Sequence, residues 1–415
     1  MIRRLGASLA TAGLAIILAL TLLPARGNLP LSASPNWCIW CGDAGTTNLI
    51  LNVILFVPLG AGLAWLGWRK PAAVLSGLGL SVLIEILQLT IVPGRFTALG
   101  DVLANTLGAW VGYRLAEGLV SRASPSRAMY RARGLLAWLA AVLVPAIGVL
   151  AFQPDPGPGM APWYGQWANV LRGLDPFGGR ILDVRLDGLP VPMGRLDNAE
   201  QLRERWTRQS LRFEARVRTG PVPRRRALVA TIAERRAGWP AAIWQDGEDA
   251  TMSLRTRASD FGLRSPAIRL AGAFQQPEGT ELLLSVEVHG GVLSSRAEAG
   301  TTTRETSIRL RPALAWITIW PWSTAFREEP AGRTAAWLVG FGCFTSVLLG
   351  FWMRSGQWLW FGVLLGVTVP VLTHGVFPSL ARLPGGTIAD WGLTSLATGL
   401  GLLAGSLVPS RRKPR

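Results

Sequence analysis

Long apolar runs and short alternating runs occupy separate parts of this chain. Stretches of about 20 mostly apolar residues, long enough to cross a bilayer as a helix, begin near residue 5. They recur at about 47–68, 71–92, 99–119 and 134–152, and again at about 334–353, 357–377 and 388–408. The first, roughly Leu5 to Pro24, follows Arg3 and Arg4 and precedes Ala25-Arg26-Gly27. It reads either as a cleaved signal peptide or as a retained helix, and the loop charges described below fit the retained helix.

The stretch between these two groups, about 153–330, has a different period. In Leu211–Arg218 every second residue is apolar, as in a strand with one buried face. Arg180–Leu186, Leu228–Ala233, Met252–Ala258, Ala267–Phe274, Glu281–Val288 and Thr306–Leu310 read the same way. His289-Gly290-Gly291 supplies a tight turn before Val292, and Asn198–Arg208 has helical tendency. The expected fold class is an α-helical integral membrane protein of about eight transmembrane helices. An extracytoplasmic all-β jelly-roll sandwich is inserted between helices 5 and 6. The expected domains are 1–152, 153–330 and 331–415.

Charge adds orientation. The 415 residues include 42 Lys and Arg against 25 Asp and Glu, a formal charge of +17, with a mean hydropathy of +0.31. With the N-terminus in the cytoplasm, eight spans place Arg3, Arg4, Arg69, Lys70, Arg114, Arg122, Arg127, Arg131, Arg133, Arg354, Arg411, Arg412, Lys413 and Arg415 inside. Only one acid, Glu117, lies with them, and the short outer segments hold Arg26, Arg95 and Arg382. This is the positive-inside bias. It predicts a bacterial inner-membrane protein with both termini cytoplasmic and the sandwich outside. Most of the basic excess is therefore a topology signal and a contact for anionic lipid headgroups of the bilayer. It forms no concentrated nucleic-acid patch.

Ionisable residues within spans are costly and tend to be paired or functional. Asn48 and Asn52 lie four apart in the second helix, Glu85 and Gln88 three apart in the third, and Asp101 and Asn105 four apart in the fourth. Arg95 lies in the turn Pro93-Gly94-Arg95, and Gly108 and Gly112 continue the Asp101–Asn105 face with small residues that permit close helix contact. These seven polar residues form either an ion-paired network that fixes helix packing or a polar pocket at the outer face. In the pocket reading Glu85 acts as acid or base, Arg95 holds an anionic group, and Asn52 and Asn105 orient the substrate. No serine–histidine, metal-binding or cofactor pattern accompanies them, so enzyme and binder both stay open.

The segments TTNLILNVILFVPLG (46–60), IEILQLTIVPGRFTALGD (84–101) and NTLGAWVG (105–112) resemble the VanZ-like family. Members carry an N…N…F-x-P-L-G segment, an E-x-x-Q…R segment and a D-x-x-x-N-T-x-G segment. The resemblance covers about residues 38–118. The family is named for a teicoplanin-resistance protein, so the resemblance implies a membrane and cell-envelope setting rather than a reaction.

A second polar set lies near the C-terminus. His374 stands 16 residues before Asp390, as Glu85 stands 16 before Asp101, and Thr394 falls where Asn105 would. Either chance or a diverged repeat accounts for the match. Cys38 and Cys41, in NWCIWCG, have a spacing that suits a disulfide, reduced thiols or half a metal site. A loop-stapling disulfide is the expectation, with no metal.

The sandwich, with EDATMSLRTRASDFGLRSPAIRLAG (248–272), also resembles concanavalin A or laminin-G-like domains. Such domains often bind glycans, although fold alone does not fix function. Asp246, Asp249 and Asp260 read as turn residues rather than calcium ligands. Trp239 and Trp244 read as packing residues rather than a sugar platform. Trp316, Trp320, Trp322, Trp358 and Trp360 read as interfacial anchors. Three functions are carried forward. The first is recognition of an extracytoplasmic glycan or lipid-linked ligand by the sandwich and the polar pocket. The others are transport or flipping of an envelope component, and a non-catalytic anchor that displays the sandwich to a partner.

Overall fold

The computed structural model describes residues 2–23, 38–40, 44–92, 97–120, 127–157, 161–168, 174–206, 210–234, 238–320, 325–327, 330–353 and 359–407. The chain divides into two compact units, Met1–Ala123 and Ser124–Arg415.

Among the described residues the N-terminal unit has four helices: α1 (Ile2–Leu22), α2 (Gly45–Leu66), α3 (Lys70–Thr90) and α4 (Leu99–Val120). Its core gathers Ile17, Phe56, Leu59, Leu63, Ala73, Ile84, Ala109 and Tyr113. Helices α2 and α4 run parallel and touch backbone to backbone. A methyl group on Gly108 would overlap the Val53 carbonyl, one on Gly112 that of Val57, and one on Gly60 that of Ala109. Small residues let apolar helices approach this closely where lipid supplies no hydrophobic drive. Helix α1 joins by the same means, since Gly62 of α2 lies against Ala10.

The second unit begins with α5 (Arg127–Ala151). A two-sheet β domain follows. The first sheet comprises β1 (Trp163–Trp167), β4 (Gly194–Arg195), β6 (Ala227–Glu234), β7 (Gly238–Asp246), β8 (Asp249–Leu254), β9 (Ala267–Leu270) and β13 (Ala325–Phe326). Its order is β13-β9-β8-β7-β6-β1-β4. The second comprises β2 (Arg180–Leu186), β3 (Leu189–Pro190), β5 (Ser210–Arg218), β10 (Glu281–His289), β11 (Val292–Ala299) and β12 (Thr302–Arg309), in the order β12-β11-β10-β5-β2-β3. Inward side chains of both sheets, among them Phe213, Val217, Ile232, Ile243, Met252, Leu284 and Leu293, share one core. The short helix α6 (Ala199–Trp206) adds Leu202 and Trp206 to it.

The alternating runs become strands at or near the expected positions, with instructive differences. The run at 252–258 stops as a strand at Leu254 and turns into a 3₁₀ helix, Arg257–Phe261. The run at 267–274 stops at Leu270, before a turn through Gly272. Strand β7 showed no alternation because six consecutive residues, Pro240–Gln245, are buried. Its outer face carries Ala242 and Trp244, which join Leu228, Leu174 and Trp239 in a second cluster.

After the sandwich come α7 (Ala331–Met353), α8 (Leu359–Val371), a π turn (Leu372–Val376), α9 (Phe377–Leu380) and α10 (Ile388–Leu407). Among the described residues, five helical stretches are long and apolar enough to cross a membrane: Ile2–Leu22, Gly45–Leu66, Lys70–Thr90, Gly134–Ala151 and Val363–Leu380. A buried 3₁₀ helix, Pro312–Ile319, seats the sandwich among the helices of its own unit. Ala315 fills the space above Gly148 of α5, and Trp316 Nε1 donates to Thr334 Oγ1 of α7 at 3.3 Å. Trp316 is therefore a core residue, 4% exposed, rather than an interfacial anchor. Its ring meets Trp320 and Phe326 edge-on.

Candidate functional site

Ser81, Glu85 and Gln88 project from one face of α3, at spacings of four and three. Asn105 Nδ2, from α4, donates to Ser81 Oγ at 2.8 Å, and both residues are buried. Asn105 Oδ1 is also buried, with no hydrogen-bond partner among the described residues. Half-buried Glu85 accepts the Ala98 N–H at 3.0 Å, so the carboxylate ties α3 to the residue just before α4. Asp101 stands in the first turn of α4, where the free helix N–H groups favour a negative charge. Gln88 Nε2 instead donates to the Thr21 carbonyl of α1 at 3.0 Å. Asn48 is exposed and Asn52 half-buried, and the Ser81–Asn105 bond involves neither. Arg95 lies outside the described residues.

The C-terminal polar residues are more tightly held. Asp390 and Thr387 cap α10 reciprocally: Asp390 Oδ2 accepts the Thr387 N–H at 2.8 Å, and Asp390 N donates to Thr387 Oγ1 at 3.2 Å. The same carboxylate takes Arg311 Nη1 at 2.8 Å in an ion pair whose side chains are 5% and 3% exposed. Arg311 immediately precedes the buried 3₁₀ helix, so the pair bolts the sandwich to α10. His374 lies within the π turn, an element that often marks functional positions. It shares a 2.8 Å hydrogen bond between Nε2 and Thr394 Oγ1 and lies beside Trp391, while its buried Nδ1 has no partner among the described residues.

Comparison with known proteins locates the first of these clusters. Residues 11–120 match the VanZ/LLP1 family model. No curated protein and no solved structure matches the chain. The VanZ-like segment takes in most of α1 and all of α2–α4, and with the five apolar stretches it marks a membrane protein of the cell envelope. It contains the whole Ser81–Glu85–Asn105 arrangement. Sequence reasoning missed Ser81, although its helical spacing from Glu85 offered a signal. Arg311 offered none, being 79 residues from its partner Asp390.

Elsewhere, Asp246, Asp249 and Asp260 of the sandwich pair with arginines. Asp249 takes Arg269 Nε at 2.7 Å, Arg327 Nη2 at 2.8 Å and the Gly272 N–H at 2.8 Å. Burial alone would raise the Asp249 carboxyl, but these donors together hold it below its ordinary value. Asp260 pairs with Arg255, and Asp246 with Arg269. Burial pushes the Arg226 guanidinium down to about 10, and it lies 4.5 Å from the ring centroid of Trp244. Trp244 lies in turn beside Trp239, the rings tilted with centroids 4.7 Å apart. Cys38 is disulfide-bonded and Cys343 is free, whereas Cys41 lies outside the described residues.

Proposed function

We propose that this VanZ-like envelope protein recognises a glycan or lipid-linked ligand on the outer side of the bacterial inner membrane. In this reading eight spans leave both termini in the cytoplasm, and the sandwich, a jelly roll of the concanavalin or laminin-G kind, meets the ligand outside. The polar set of the VanZ-like segment engages part of the same ligand. One observation carries the reading: Asn105 spends its amide N–H on Ser81 and leaves a buried oxygen without a donor among the described residues. Such atoms are rare in folded proteins, and water or a ligand is the ordinary explanation.

The test uses the full chain in a strain lacking its own copy. Glu85→Gln and Asn105→Leu should each abolish rescue of the deletion's envelope phenotype, with thermal melting within a few degrees of wild type. Full rescue by both variants would return the cluster to a packing role. A display-only anchor is less favoured, because the 3₁₀ helix and the Arg311–Asp390 pair embed the sandwich in its helices rather than tethering it.

A further inference from the structure

One register runs through two sets of three helices. Helix α4 starts at Leu99 and α10 at Ile388, 289 positions apart. Contacts keep the same displacement. Gly108 abuts Val53 and Gly112 abuts Val57 at the α2–α4 crossing. At the α7–α10 crossing their counterparts meet: a methyl on Gly342 would lie 2.9 Å from Ala397 Cβ, and one on Gly401 would lie 2.6 Å from Ser346 Cβ. The middle helix agrees as well, since Gly77 meets Ala109 of α4 and Gly366 meets Thr398 of α10. Apolar helices brought together by chance would not share a helix start and three interhelical contacts in one gap-free register. The polar positions follow it too: Glu85 and His374, Asp101 and Asp390, Asn105 and Thr394.

We propose that residues 334–409 are a second, diverged copy of the VanZ-like helix unit, carrying at His374 a second site for a neutral, hydroxyl-bearing headgroup. The ligand class rests on the function proposed above; the duplication does not. His374 is 3% exposed. In either tautomer of the His374–Thr394 bond, buried Nδ1 has no partner among the described residues, as Oδ1 of Asn105 has none. Each copy thus holds a hydrogen-bond pair between its second and third helical segments and keeps one buried polar atom without a partner among the described residues. A buried polar atom left unmet is costly, and a sugar hydroxyl, which both donates and accepts, or a water molecule would meet it.

An anion does not suit the second site, because the Arg311–Asp390 pair beside it is already neutral. That cation comes from the sandwich: the second copy has Pro384 at the position of Arg95. The positions of Asn48 and Asn52 hold Trp337 and Phe341, stacked at 4.9 Å, and Trp337 packs on the sandwich core. The second copy has in this way become the seat of the sandwich.

The chain has two histidines, and the other, His289, is exposed at a hairpin end. Full-length protein labelled with ¹⁵N-histidine is placed in nanodiscs of phosphatidylethanolamine and phosphatidylglycerol and titrated with monoglucosyl diacylglycerol. The His374 Nδ1 resonance should move, His289 should not, and diacylglycerol without the sugar should move neither. The shift should persist in Asn105→Leu, which empties only the first site. A His374 resonance indifferent to the glycolipid means that water alone meets Nδ1 and overturns the second site. If the glycolipid is still retained by wild type and lost by Asn105→Leu, the first site stands without the second. If wild type retains none, the ligand class fails for both.

Discussion

Asp390 and Arg311 show what a single buried contact does here. Each is less than a tenth exposed, and removing one leaves the other's charge buried without its ion-pair partner. Asp390→Asn or Arg311→Met should therefore cost about 3–5 kcal/mol. Arg311→Met with Asp390→Leu, which removes both charges, should recover much of that loss in thermal unfolding of the full chain. Asp249 makes a second, pH-dependent case. Its folded carboxyl titrates below the ordinary aspartate value of about 3.9. Its contribution is complete above that value and is lost as pH falls through the lowered folded one. Asp249→Asn should lower stability at neutral pH by about 1.5–3 kcal/mol and flatten the acid limb of a melting-temperature profile.

Between helices, contact is decided by glycine. The α2–α4 crossing has no room for a methyl group at Gly108 or Gly112. Gly108→Ala and Gly112→Ala should each destabilise the N-terminal unit by about 1–3 kcal/mol, read as a lower melting temperature. Gly79, with open space around its Cα, should accept alanine without loss. Periodicity made most elements legible, as strands β2, β5 and β10 show. It failed for β7, buried on both faces, because alternation exists only where one face meets water. Nor did it show that Trp316 turns into the core, since an aromatic residue near a span has the same local pattern in either place.

For the whole molecule, the mount of the sandwich matters most. Pro312–Thr318 is buried against α5, α7 and the β core, so a fragment cut at 153 and 330 would lose the surfaces covering it. That fragment should be less stable than the same region in the full chain and should self-associate in size-exclusion chromatography. A monomeric fragment that melts like the full chain would restore independent display.

From sequence alone came the separation of apolar spans from a strand-rich middle, the VanZ-like motifs, and the matched spacing of Glu85–Asp101 and His374–Asp390. These follow from periodicity and local spacing, which one chain records directly. Tertiary structure alone decided that Asn105 bonds Ser81, that His374 bonds Thr394, and that Asp390 belongs to Arg311. Partners distant in the chain leave no local pattern, because their meeting depends on how helices cross and where a buried 3₁₀ helix sets the sandwich down.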